Sequence, residues 1–507
     1  MRKTQDLNDN WHLTWCSFQE RKEDLLTGPI ANWLPAKVPG DVHIDLMEAG
    51  EGPDPFFGLN ADLWRWVEEK DWWYRLDFKM PKLSGGRAFL VFEGIDTFAT
   101  IFLNGQKIAE NFNMFTPIEI DVTDIGKQGE ENKLAVRIAS PIFSVDIRVD
   151  EKVGFDWNLP RLFARKAQFN YGWDIAPRLV SVGIWRPVRL EIYEKGRIKD
   201  IWIRTLSYDG RNAFLKAEVE TEFFEKLTGE VWFVLELYEG EKKVVERKTT
   251  FSSSESRPHI SLDLDVRNPR LWYPNDMGEP FLYSYKASLI CNNKEIDSWQ
   301  GNFSIRTVEL VQEPQKEGGT SFYFKVNGEK IFVKGFNWTP ADALPARITQ
   351  ERYEALLRLV YEAGANMLRV WGGGIYEPEI FYNLCDRLGI MIWQDFMFAC
   401  GYYPQREEFL REVSREAEIV IKRLRHHPCL ALWSGGNEND TFRFWREGKE
   451  YLKHRIRWVL NEICRTLDPQ TPSPIVLSLP PGTILTIRLK AIPIAGHTEL
   501  VIGMIFI

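Results

Sequence analysis

The segment Leu430-Ala431-Leu432-Trp433-Ser434-Gly435-Gly436-Asn437-Glu438-Asn439-Asp440 carries the residue types best placed to do chemistry. Its apolar run reads as a buried strand that ends in two glycines, an amide and a carboxylate. In a parallel α/β barrel the carboxyl ends of strands are where reacting groups sit. Glycines let the backbone turn sharply there without a Cβ penalty. A glutamate in that place can protonate a leaving group while Asn437 holds a neighbouring hydroxyl. The plainer reading is a loop of solvated polar residues, and an Asn-Glu pair alone does not decide between the two.

Stepping outward, the chain of 507 residues is long enough for about three domains. With 64 basic against 72 acidic residues it has a net charge of −8 and no basic patch for nucleic acid. Cys16, Cys291, Cys385, Cys400, Cys429 and Cys464 are scattered, with no CxxC. That pattern predicts free thiols in a reducing compartment, hence a cytoplasmic protein. The amino terminus has no apolar stretch behind its basic residues, so no signal peptide is expected. Nor is there an 18-residue apolar run to span a membrane. The 20 tryptophans mostly serve cores, yet a surplus of Trp in loops also suits sugar faces. The pair His426-His427 before Pro428 reads as the end of a helix; no metal and no cofactor is expected.

Three grammars follow one another along the chain. Residues 1 to about 195 read as all-β, with alternating runs such as Trp73–Phe78 and Arg87–Phe92, and an Asn104-Gly105 hairpin signal within Thr100–Ile108. This predicts a jelly-roll-like β-sandwich of the sugar-binding type. Residues 196–306 continue in a smaller unit, with Glu230–Leu237 as one strand, and predict an immunoglobulin-like β-sandwich. After about 307 strands alternate with helices. Strands are expected at Ile331–Phe336, Asn366–Trp371, Gly389–Phe396 and the opening segment. Helices are expected at about 349–363, 377–388 and 407–425. Four βα units at this spacing predict part of a (β/α)8 TIM barrel over 307–471. The expected fold class is therefore multidomain β plus α/β, with an incomplete barrel.

These stretches resemble the family 2 glycoside hydrolases, and within them the β-mannosidases, from the first strands to about Pro469. The resemblance is carried by Gly335-Phe336-Asn337-Trp338-Thr339-Pro340-Ala341-Asp342, Leu368-Arg369-Val370-Trp371-Gly372-Gly373-Gly374-Ile375-Tyr376-Glu377 and Trp393-Gln394-Asp395-Phe396-Met397-Phe398-Ala399-Cys400, with Gly436-Asn437-Glu438. In the first sandwich it rests on Tyr171-Gly172-Trp173-Asp174-Ile175-Ala176-Pro177-Arg178 and Val182-Gly183-Ile184-Trp185-Arg186-Pro187. The resemblance implies retaining hydrolysis of terminal β-D-mannose by two carboxylates ~5–5.5 Å apart. It assigns the acid/base role to Glu438, whose site is then expected to favour the protonated form. Asn437 would bond the sugar 2-hydroxyl, Trp371 would wall the innermost subsite, and Trp173 and Asp174 would reach in from the first sandwich.

Each of these residues also has a structural reading. Trp173 would anchor the sandwich to the barrel, Arg369 would pair with an acidic neighbour, and Asp395 would orient Arg369 or the sugar, or cap a loop. The chain departs from the family at Ile175-Ala176, where a Trp-Gly pair is typical, which bears on the pocket rim. A larger departure is the nucleophile. Three βα units past Glu438, at about 31 residues each, place it ~95 residues on, near position ~530. Glu447, Glu450, Glu462 and Glu499 lack that context, so no nucleophile is assigned. The stretch from Pro472 to Ile507 carries only Arg488, Lys490 and Glu499 as charges, with one strand expected near 474–479. This aberrant tail reads as a shifted frame or truncated gene. The expectation is thus a β-mannosidase incomplete as this chain alone, with a homo-oligomer or a complementing carboxyl-terminal fragment as partner. The alternatives are a non-catalytic carbohydrate-binding protein and one part of a split glycosidase.

Overall fold

In a computed structural model the described residues are 2–20, 24–147, 159–251, 257–316, 319–439 and 455–473. The first region forms two antiparallel sheets. One orders its strands as Lys3–Asp6, Val188–Tyr193, Arg87–Phe92 and Ile118–Asp121. The other holds six, with Lys70–Lys79 and Glu131–Ala139 at its centre. Trp11, Leu13, Trp72, Tyr74, Leu90, Ile101 and Val136 fill the space between them. Asn104 and Gly105, both at positive φ, close the hairpin between Phe98–Leu103 and Gln106–Asn111. Short helices at Val42–Glu48 and Pro160–Phe163 and a 3-10 segment at Asn60–Glu69 interrupt the all-β pattern.

The second region sets a three-stranded sheet (Gly196–Tyr208, Asn212–Phe223, His259–Arg267) against a four-stranded one. The alternation of Asn212–Phe223 explains the burial. Ala213, Leu215, Ala217, Val219, Thr221 and Phe223 face inward, while Lys216, Glu218, Glu220 and Glu222 face out. Seven antiparallel strands in two sheets are the immunoglobulin-like arrangement.

Past it, a parallel sheet runs in chain order through β1 (Gly335–Trp338), β2 (Met367–Val370), β3 (Met391–Asp395) and β4 (Leu430–Ser434). Between these strands lie α1 (Gln350–Glu362), α2 (Glu379–Leu388) and α3 (Glu407–Leu424); α4 (Arg455–Leu467) follows β4. Strands β3 and β4 are buried throughout, as both-face-covered parallel strands must be. Thr349 caps α1 by accepting from the Arg352 N–H, and Gly389, at φ 69°, ends α2 in a left-handed turn.

One expected strand moves. Glu329–Ile331 pairs antiparallel with Tyr323–Val326 in a small ribbon, and β1 begins only at Gly335. The continuous apolar run through Phe332 and Val333 concealed that break. Phe332 is 76% exposed, and on β1 Phe336 is 56% exposed. The strand expected near 474–479, Glu447, Glu450 and Glu499 all lie outside the described residues.

The first sandwich packs into the core of the parallel sheet. Met114, Phe115, Leu162 and Phe169 belong to the same apolar cluster as Trp371, Phe398 and Tyr403. Arg165 joins them through a buried 2.6 Å pair with Glu416 on α3 and a bond to the Met397 carbonyl. Among the described residues no helix is long and apolar enough to cross a membrane.

Candidate active site

Three loops meet at the carboxyl ends of β2, β3 and β4. The backbone of Asn437 bonds Phe398 and Cys400 on either side of a bridge to Ala399, so the loop after β3 runs alongside the loop after β4. Gly372, after β2, lies so close that a Cβ there would meet the Phe398 carbonyl at 2.6 Å and the Asn437 nitrogen at 3.1 Å. Gly436 sits at φ 137°, which an L side chain rarely adopts.

Within this junction the side chains form one chain of bonds. Arg369 holds Asp395 through Nε at 3.3 Å and Nη2 at 2.8 Å, and Nη2 also donates to Asn437 Oδ1 at 3.0 Å. Asp395 accepts from the Gly372 N–H at 3.0 Å and from Trp393 Nε1 at 3.1 Å. The two readings of Arg369 are therefore both present: it pairs with an acid and it fixes the amide beside Glu438. Asp395 orients Arg369, and it also closes the loop after β2.

Glu438 follows at φ 56°, its Oε2 accepting from Cys400 Sγ at 3.3 Å. Its side chain is exposed among the described residues. The Cys400 thiol is pushed up to about 12, first by burial and then by the Glu438 charge.

Trp371 is buried and packs edge-on against Trp173, ring centroids 5.2 Å apart. Trp173 ends the strand Tyr171–Trp173, which pairs with Ala176–Arg178, so Asp174 and Ile175 form the turn between them. Both turn residues are exposed, and Ile175 puts an apolar side chain on the rim. Among the described residues Asp174 lies outside the bonded chain that links Arg369, Asp395, Asn437 and Glu438.

Two participants went unrecognised in the sequence. Cys400 was visible only as the last residue of a motif and as a free thiol. Arg161 had no signal at all. Fully buried, it donates to the carbonyls of Ala399 at 2.9 Å and Cys400 at 2.8 Å, and its guanidinium stacks 5.1 Å from the Trp173 ring. It thus ties the first sandwich to both sides of the site.

Elsewhere, Glu379, His426 and His427 bring ligand atoms within 4.8 Å of one another, as do Asp386, His427 and Cys429. Helix α3 ends at Leu424, just before this cluster. His427 Nδ1 lies 2.6 Å from Asp386 and Nε2 3.1 Å from Glu379. Burial alone would lower its pKa, but the two carboxylates outweigh it and raise the value to about 9. Both ring nitrogens of His427 are thus engaged by carboxylates. Glu377 is likewise a structural acid. Burial pushes it up to about 7 against the bonds it accepts from Tyr353 on α1 and Trp338 on β1.

The chain is similar to known proteins. Residues 12–186 match the family described as "Glycosyl hydrolase 2 galactose-binding domain-like", and residues 196–306 match "Glycosyl hydrolases family 2". Together the matches span more than half of the sequence. Beta-mannosidase B of Thermothelomyces thermophilus is 37% identical over 468 residues, covering 88% of this chain and 54% of that protein. Beta-mannosidase B of Emericella nidulans is 40% identical over 418 residues, covering 80% and 48%. The crystal structure of a beta-D-mannosidase from Dictyoglomus thermophilum superposes with a TM-score of 0.85 at 41% identity, over 93% of this chain and 57% of that one. The chain spans about half the length of the curated relatives it matches. A beta-glucuronidase from Bacteroides uniformis, TM-score 0.71 at 17% identity, shares the fold. The chain belongs to glycoside hydrolase family 2, and within that family it resembles the β-mannosidases.

Proposed function

We propose that this chain provides the acid/base side of a retaining exo-β-mannosidase, acting on terminal non-reducing β-D-mannose. The observation that carries the reading is the continuous contact Asp395–Arg369–Asn437–Cys400–Glu438 at the ends of adjacent parallel strands. In this scheme Glu438 gives its proton to the glycosidic oxygen as the bond to the anomeric carbon breaks. A second carboxylate ~5–5.5 Å away traps that carbon as a glycosyl ester, and Glu438 then takes a proton from the incoming water. Asn437, its oxygen held by Arg369, presents the amide edge toward the sugar 2-hydroxyl. Trp371 and Trp173 offer apolar ring faces to the sugar, and Asp174 at the hairpin tip offers an acceptor.

The same reading divides the chain into sandwiches at 1–195 and 196–306 and the first half of a (β/α)8 barrel at 307–471. The second carboxylate then comes from the other half of the barrel. Exposed Phe336 on β1 supports a version in which a separate polypeptide completes the sheet. Six buried cysteines, none in a disulfide among the described residues, support a reducing, cytoplasmic setting.

The test is hydrolysis of an aryl β-D-mannoside by the chain together with a polypeptide carrying the rest of the barrel. Turnover of the mannoside in preference to the matching galactoside and glucuronide is expected. Mannoside binding without turnover would replace this reading by a carbohydrate-binding one.

A further inference from the structure

Cys400 occupies a left-handed backbone position, φ 41°, at the end of the loop that follows β3. Arg161 clamps the carbonyls of Ala399 and Cys400, so the place of the thiol is set from the first sandwich. Its Sγ accepts from Asn437 Nδ2 at 3.3 Å and donates to Glu438 Oε2 at 3.3 Å. Asn437 Oδ1 accepts from Arg369 at 3.0 Å, which settles the way the amide faces. The donors therefore all point one way, from the Arg369 guanidinium through the amide and the thiol to the carboxylate. Hydrogen bonds in series polarise one another, so the cation strengthens the S–H as a donor. Because burial and the neighbouring carboxylate push the thiol up to about 12, it keeps its proton at neutral pH.

The geometry points to Cys400 as a positioning residue that hands a hydrogen bond from the Arg369–Asn437 chain to Oε2 of Glu438 and so fixes the way its carboxyl faces. With Oε2 held by the thiol, Oε1 is the oxygen turned to the glycosidic bond, and the thiol proton stays on sulfur throughout. This inference rests on the reading of Glu438 as proton donor, but its first test does not require turnover.

That test is the 13C carboxyl resonance of Glu438 in the purified chain at neutral pH, assigned by its loss in Glu438→Gln. In Cys400→Ala the resonance should move, because the carboxyl loses its donor, and in Cys400→Ser, whose hydroxyl still donates, it should return toward the wild-type position. The same resonance in all three proteins, or a serine variant matching alanine, would overturn the proposal. In the protein completed for turnover, a second readout separates the placing of the carboxyl from general damage. Cys400→Ala should lose about threefold or more in kcat/KM on methyl β-mannoside, whose leaving group needs the proton, and little on the dinitrophenyl β-mannoside. An equal loss on both substrates would reduce Cys400 to a packing residue. If no mannoside is turned over by the wild-type protein, the hydrolase reading fails while the carboxyl resonance still decides the thiol's role.

Discussion

Strand β4 carries a cluster of the same residue types at each of its two ends, and the clusters are built to opposite purposes. At the amino end, Asp386 accepts from His427 Nδ1 and, through its other oxygen, from the Cys429 N–H, while Glu379 takes His427 Nε2. Both ring nitrogens and both Asp386 oxygens are closed by protein partners. At the carboxyl end, Asp395, Arg369 and Asn437 are equally well held, but the sequence of bonds finishes on a Glu438 side chain left exposed. Both ends raise a buried thiol, Cys429 and Cys400. Glu379 is exposed too, but both its oxygens are held, by His427 and by Arg423, whereas Glu438 meets only the Cys400 thiol among the described residues. A cluster whose acceptors are all taken stabilises, and one that ends on an open oxygen can act on something else. In parallel barrels the same division falls between the face below the strands and the face above them.

Substitutions that break this contrast rank by size. Asp395→Ala should be the most damaging, because it removes the buried carboxylate that Arg369, the Gly372 N–H and Trp393 all bond; a loss of ~3 kcal/mol of unfolding free energy is expected by denaturant titration. An effect under 1 kcal/mol would mean that Arg369 finds another partner. His427→Gln should cost ~2–3 kcal/mol, the worth of bonds between charged groups. Its signature is in pH. The folded pKa of about 9 lies above the unfolded 6.5, so His427 contributes fully below pH 6.5. The contribution disappears as pH rises through 9, and the glutamine variant should lack that part of the stability profile. Unchanged pH dependence would contradict a charged imidazole. Gly436→Ala should cost ~1–3 kcal/mol, since its Cβ would meet the Phe398 carbonyl at 2.8 Å at an unfavourable φ. Thr349→Ala, remote from both ends, should lose only the α1 cap, ~1 kcal/mol, and leave the Glu438 carboxyl resonance where it is.

Much of this architecture is legible in the residues. The Asn104-Gly105 turn, the Thr349 cap and the alternation along 212–223 are local signals, and the structure follows them. The start of β1 is not, because Ile331, Phe332 and Val333 form one apolar run and only pairing with Tyr323–Val326 reveals where it divides. Glu438, Asn437, Arg369 and Asp395 were named from their motifs, and their bonding is what those motifs leave out. Arg161 stayed hidden because its contacts bridge 238 and 239 positions of chain, which no periodicity encodes. Cys400 was in view as a residue but not as a donor, since its role depends on a left-handed backbone held by that same arginine.

The central claim is that Glu438 is the proton donor for β-mannoside cleavage, and the most direct measurement is turnover by Glu438→Gln. In the protein completed with the rest of the barrel, kcat/KM on an aryl β-D-mannoside with a poor leaving group should fall by about 10²–10⁴. The unfolding midpoint should stay near that of the parent, because an exposed side chain is replaced by its isostere. Turnover equal to the parent's, with the same folded stability, would contradict the account.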